Sequence, residues 1–169
     1  MDIRSNVFEN GGKLPAKCGA MGGNQFPGIV WRQAPEKTKT FALTVIDKNY
    51  AENKTISEWG NVTLPPKEKL KGGDYAHLVL INIPGTERSL DKETDFGTIL
   101  TGTAAEFGQK GDVYAGPNPP PGTGVHEYEY RVYALDTELK LKQSDTLEEF
   151  RKAISGHVLA EAAITGRFG

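Results

Sequence analysis

The chain has 169 residues, 37% of them hydrophobic and 25% charged, the balance of a globular protein long enough to bury a core. Lys and Arg number 20 against 22 Asp and Glu, a formal net charge of −2, which argues against nucleic acid as the main partner because a phosphate-tracking surface needs a basic excess. Cys18 is the only cysteine, so an intrachain disulfide and a disulfide-stapled secreted fold are excluded.

The opening run Met1-Asp2-Ile3-Arg4-Ser5-Asn6 lacks a basic stretch followed by an apolar one, and no segment has the length of a membrane span. The expectation is a cytoplasmic protein without signal peptide or transmembrane segment, in which the sequons Asn53-Lys54-Thr55 and Asn61-Val62-Thr63 go unused. Cys18, with no second Cys or His beside it, reads as a passive thiol.

The 20 glycines and 10 prolines cut the chain into short pieces, the pattern of strands joined by turns. Thr40 to Asp47 is rich in β-branched residues and too short for a buried helix, and reads as a strand. A long polar loop with Trp59 and Pro65-Pro66 runs from Tyr50 to Tyr75. Ala76 to Ile83 is a second strand, stopped by Pro84-Gly85, and a loop dense in Gly and Pro spans Gly108 to Gly124. Long loops on a compact domain often carry function. A third strand, His126 to Leu135, alternates, with His126, Tyr128, Tyr130 and Val132 on one face and Glu127, Glu129 and Arg131 on the other.

One helix follows. Asp145 or Thr146 caps it, Glu148 or Glu149 completes a capping box, and Leu147, Phe150, Ile154 and Val158 form its apolar stripe. His157 falls on this helix beside the stripe, with a structural role in bonding a neighbouring loop. Ala163 to Phe168 is a last strand. No repeat or linker divides the chain, so residues 1–169 read as a single, mostly β domain, an antiparallel β-sandwich with a peripheral C-terminal helix.

Three polar groups stand at strand ends. Asp47 is in phase with Phe41, Leu43 and Val45; His77 with Val79, Ile81 and Ile83; His126 with Tyr128, Tyr130 and Val132. If the first strand runs antiparallel to the other two, all three groups meet at one sheet edge, at the mouth of an apolar sandwich. Two imidazoles offer N–H donors to an anion, and a carboxylate would fix the tautomer of a neighbouring imidazole. Backbone N–H groups of the run Ala115 to Pro120 could add donors. Phase alone leaves open the alternative that each histidine is simply a satisfied, half-buried residue. A metal-dependent enzyme using Asp47, His77 and His126 is a second alternative, weakened by the lack of paired ligands in one short segment. No Walker-type loop, dinucleotide fingerprint or Gly-x-Ser-x-Gly elbow is present.

The run Tyr114-Ala115-Gly116-Pro117-Asn118-Pro119-Pro120-Pro121-Gly122-Thr123-Gly124-Val125-His126-Glu127-Tyr128 resembles the phosphatidylethanolamine-binding protein family, which includes the Raf kinase inhibitor proteins. The family shows Gly-Pro-x-Pro-Pro-x-Gly-x-Gly-x-His-Arg-Tyr there. In the same order, Phe41 to Asp47 is similar to the strand entering the family's Asp-Pro-Asp-x-Pro motif, Ala76 to Pro84 to its Trp-x-His strand, and Gly156 to Gly169 to the C-terminus of bacterial and archaeal members. The resemblance covers about Asn24 to the end of the chain. It implies an antiparallel sandwich and a shallow pocket for phosphate-like groups built from Asp47, His77, Gly116, Pro119, His126 and Tyr128, with Asn118 reshaping its floor.

Three departures alter the rim. Asp-Pro-Asp-x-Pro becomes Asp47-Lys48-Asn49-Tyr50-Ala51, the arginine after the motif histidine is Glu127, and the aromatic two before His77 is Tyr75. An acid and an arginine are lost together, as they would be if the two positions meet. The expected role is therefore a non-enzymatic binding protein without a cofactor. Its ligand would be a small anion or phosphorylated head group, and a protein kinase or protease is the kind of protein partner that the family implies. The resemblance admits a homodimer, and no exposed apolar stripe in the sequence demands one.

Overall fold

The computed structural model describes residues 1–49, 75–100, 114–119 and 124–169. The Trp59 loop and much of the Gly/Pro-dense loop lie outside the described residues. The strands are β1 (Asp2–Ser5), β2 (Ile29–Arg32), β3 (Thr40–Asp47), β4 (Tyr75–Pro84), β5 (Ser89–Leu90), β6 (Thr98–Ile99), β7 (His126–Leu135) and β8 (Val158–Phe168), with one α-helix, α1 (Leu147–Ile154). They form a three-stranded sheet ordered β1-β2-β5 and a five-stranded sheet ordered β6-β4-β3-β7-β8. Among the described residues every strand pair within both sheets is antiparallel.

β3 is central in the large sheet and buried along its whole length. That is why its sequence is a continuous apolar run instead of an alternating one. Phe41, Leu43 and Val45 face the small sheet and join Trp31, Ile29, Leu90, Tyr130 and Val132 in the main core. Ala42 and Ile46 face the other way, into a second core with Val79, Ile81, Leu135, Phe150 and Ile154. Helix α1 thus covers the far face of the large sheet, and both sides of β3 are sealed.

Two bulges break the pairing of β4 with β3. At one, Asn82 adopts a left-handed φ of 57°, and its side chain bonds both backbone groups of Leu139. At the other, Val45 pairs with Leu78 and Ile46 with Ala76, so His77 is the extra residue. A bulge of this kind re-aims one side chain relative to its strand.

Thr146 caps α1, and its capping box with Glu149 is complete. The helix ends at Ile154, ahead of Gly156, whose φ of 81° suits glycine. Val158, expected on the helical stripe, instead opens β8 and is 38% exposed. His157 lies in the connecting turn and not on the helix. Its Nδ1 meets Asp136 Oδ1 at 2.8 Å, the loop contact expected of it.

Candidate anion pocket

Asp47 is the last residue of β3, and its register neighbours are Tyr75 on β4 and Tyr128 on β7. His126 is the first residue of β7. Because β3 runs against both neighbours, its end lies beside their starts, and the three polar groups expected at one sheet edge are brought together there. Asp47 is 3% exposed, His77 8% and His126 0%.

His126 Nδ1–H donates to Asp47 Oδ2 at 2.7 Å, a buried contact that fixes the tautomer and aim of the ring. Asp47 Oδ1 also accepts from the Asn49 N–H at 2.9 Å, so each carboxylate oxygen has a partner. The His77 ring packs edge-on against Tyr128 at 5.1 Å and Tyr75 at 4.7 Å between centroids. His77 Nδ1–H donates to the Ala115 carbonyl at 2.7 Å. Its Nε2 has no partner among the described residues.

Strand phase reaches the right convergence for His77 by the wrong route. Val79 and Ile81, in phase with His77 by simple alternation, face α1 in the second core. The bulge, not alternation, turns the His77 ring to the face of Asp47 and Tyr128.

The tyrosines form an apolar floor with few polar groups in it. Tyr128 is fully buried, and burial raises its pKa far more than the Asn118 backbone, hydrogen-bonded to the hydroxyl, lowers it. Beneath, the hydroxyls of Tyr114 and Tyr130 meet at 3.0 Å. Burial also lowers the pKa of His77, outweighing the opposing pull of Asp47 and of the bond to Ala115. At neutral pH the ring is therefore held neutral, with its proton on Nδ1 and a lone pair on Nε2.

Gly116 and Pro119 both lie in the irregular segment Tyr114–Pro119, which meets the His77 ring through the Ala115 carbonyl; Asn118, in the same segment, is exposed. The Gly116 N–H, expected as a donor for a ligand, is taken by Asn24 Oδ1 at 2.6 Å. Glu127 points to the outer face and pairs with Arg167 at 3.2 Å, so its charge is turned away from the pocket. Asn49 Oδ1 accepts from the Glu127 N–H at 2.7 Å, which shows that positions 49 and 127 do meet. Sequence reasoning missed Asn24, and it named Ala115 only among possible N–H donors and not as the carbonyl acceptor for His77, since both act through hydrogen bonds with main-chain groups, which leave little mark on residue type.

Among the described residues no group of three or more His, Cys, Asp and Glu is placed to hold a metal ion. Cys18 sits apart, at a surface cleft of about 180 Å³ shared with Lys17, Phe26 and Asp91. Burial raises its thiol pKa more than Lys17 lowers it, as suits a passive thiol.

The family model for phosphatidylethanolamine-binding proteins matches residues 4–169. The chain belongs to this family. A UPF0098 protein of Methanothermobacter thermautotrophicus is 30% identical over 170 residues, covering 99% of this chain and 98% of its own. Among solved structures, a phosphatidylethanolamine-binding protein homologue from Chlamydia trachomatis superposes with a TM-score of 0.77 at 23% identity, covering 99% of this chain and 95% of its own. Escherichia coli YbcL, described as a member of the mammalian family, gives 0.69 at 23% identity over 99% and 96%. These two likenesses establish the shared fold, and the sequence match to the archaeal relative places this family member among bacterial and archaeal types.

Proposed function

We propose that this family member is a non-enzymatic binding protein that holds a small anion, a phosphate or phosphorylated head group, at the edge formed by Asp47, His77, His126 and Tyr128. In this role it serves as a lipid head-group binder or as a regulator of a kinase or protease. The observation that carries the reading is the anchoring of both imidazoles by Nδ1, one to Asp47 and one to the Ala115 carbonyl, over a buried tyrosine floor. Rings fixed in this way lose little freedom when a ligand arrives. His77 Nε2, neutral in the free protein, becomes an N–H donor when the ring takes up a proton, and an anion beside it favours that step. Binding is therefore coupled to proton uptake.

The test is a titration with inorganic phosphate and separately with phosphoethanolamine, following the ring signals of His77 and His126 by NMR. Both rings shift, and in a His77→Ala, His126→Ala double variant, followed by isothermal titration calorimetry in place of the missing ring signals, phosphate gives no saturable heat. Rings that stay unmoved up to high millimolar ligand would remove the proposal. Vesicles with and without phosphatidylethanolamine, run alongside, separate a lipid head group from free phosphate.

A further inference from the structure

The segment Tyr114–Pro119 belongs to no strand, so no ladder sets the position of the Ala115 carbonyl that holds His77. Its geometry comes from across the chain. Asn24 Nδ2–H donates to the Tyr114 carbonyl at 2.8 Å, and Asn24 Oδ1 accepts from the Gly116 N–H at 2.6 Å. One carboxamide thus brackets Ala115 on both sides, as a neighbouring strand would. The Ala20 N–H adds a bond to the Pro117 carbonyl at 2.9 Å. A Cβ at Gly116 would run into the Cys18 carbonyl oxygen, so the two loops interlock closely.

Asn24 is itself held in place. Its φ is 53°, the left-handed region that asparagine tolerates better than most side chains, and its own N–H bonds the Gly19 carbonyl at 2.9 Å. This conformation turns the carboxamide toward residues 114–116.

We propose that Asn24 is a positioning residue of the pocket, fixing the Ala115 carbonyl and through it the tautomer and aim of the His77 ring. It touches no ligand in this role. Its effect on anion affinity rests on the function proposed above, whereas its effect on the ring does not. Burial, the largest influence, and His126 oppose the protonated ring, while Asp47 and the bond to Ala115 favour it, and the uncharged Tyr75 and Tyr128 meet it in edge-type contacts. Loosening Ala115 therefore lowers the His77 pKa further and frees the neutral ring to place its proton on Nε2.

Asn24→Gly removes the carboxamide and keeps the backbone conformation strain-free. Ring ¹⁵N spectra of the wild type should show the neutral His77 with its proton on Nδ1. In Asn24→Gly the ring should become a mixture of tautomers with a lower pKa, while His126, held by Asp47, keeps its wild-type signals and reports that the sheet edge is intact. Phosphate affinity should fall about tenfold, the loss expected from one misaimed charge-assisted hydrogen bond. Asn24→Asp keeps the acceptor for the Gly116 N–H and loses the donor to Tyr114; it should shift the His77 tautomer in the same direction, and it carries the test if the glycine variant does not fold. A His77 tautomer and pKa unchanged in a folded variant would overturn the proposal. If the wild type shows the Nδ1 tautomer and the variant loses it, yet neither binds phosphate, the positioning role stands and the anion reading fails.

Discussion

At the scale of single residues, Asp47 is the group that orients the His126 ring at the sheet edge. It sits between Tyr75 and Tyr128, accepts from the His126 ring and from the Asn49 amide, and is almost wholly buried. Asp47→Ala would leave the fully buried His126 N–H without its acceptor, a loss of about 1–3 kcal/mol. Asp47→Asn, which keeps an oxygen there, should cost less. Urea denaturation of the two variants measures the difference, and equal losses would show that His126 is held by something else. For His77 the pKa is depressed by burial, so below its unfolded value the unfolded chain binds more protons than the folded one. Stability should therefore fall as pH drops below about 6.5, the unperturbed histidine value, and His77→Gln should flatten that slope. Phosphate affinity runs the opposite way and should rise over the same interval, because the bound anion restores the proton. An affinity independent of pH between 5 and 8 would separate His77 from the ligand.

At the scale of elements, what could be read from residues depended on whether the cause was local. β3 and β7 were legible to their terminal residues, because a short run rich in β-branched and apolar residues and an alternation are properties of the segment itself. The capping box of α1 was legible for the same reason. Val158 misled because it stands four residues after Ile154, a helical spacing, although Gly156 had already ended the helix. The short strands β1, β2, β5 and β6 gave no usable period over two to four residues. The bulge at His77 could not be read at all, since a bulge is defined against a partner strand and not within its own. The loop carrying Gly116 is another element whose geometry is set from outside. Gly116→Ala would push a methyl group into the backbone of Cys18 and should cost about 1–3 kcal/mol, the range for overpacking. Its His77 ring signals should move as well, because Ala115 adjoins the displaced residue. A variant with wild-type stability would show that the two loops are free to separate.

At the scale of the whole molecule, the central strand β3 is sealed on both faces, and the candidate pocket lies at one end of the large sheet. Stability and binding should then be separable. Phe150 on α1 is fully buried against Ala42, Ile46 and Val79, on the face turned away from Tyr128 and the histidines. Phe150→Ala should cost about 3–5 kcal/mol by urea denaturation and leave phosphate affinity unchanged in the folded protein. A loss of affinity in parallel would mean that the second core reaches the pocket. Sequence reading anticipated this sandwich from the order of strands and the family motifs, but not the division into two cores, which depends on how the alternating faces of β3 are covered by elements distant in the chain. The anion itself is most directly sought in a crystal grown with phosphate. The proposed function predicts phosphate at the sheet edge, with one oxygen within hydrogen-bonding distance of His77 Nε2 and the ion lying against the His126 ring. Phosphate at full occupancy elsewhere on the molecule, with that edge holding none, would contradict it.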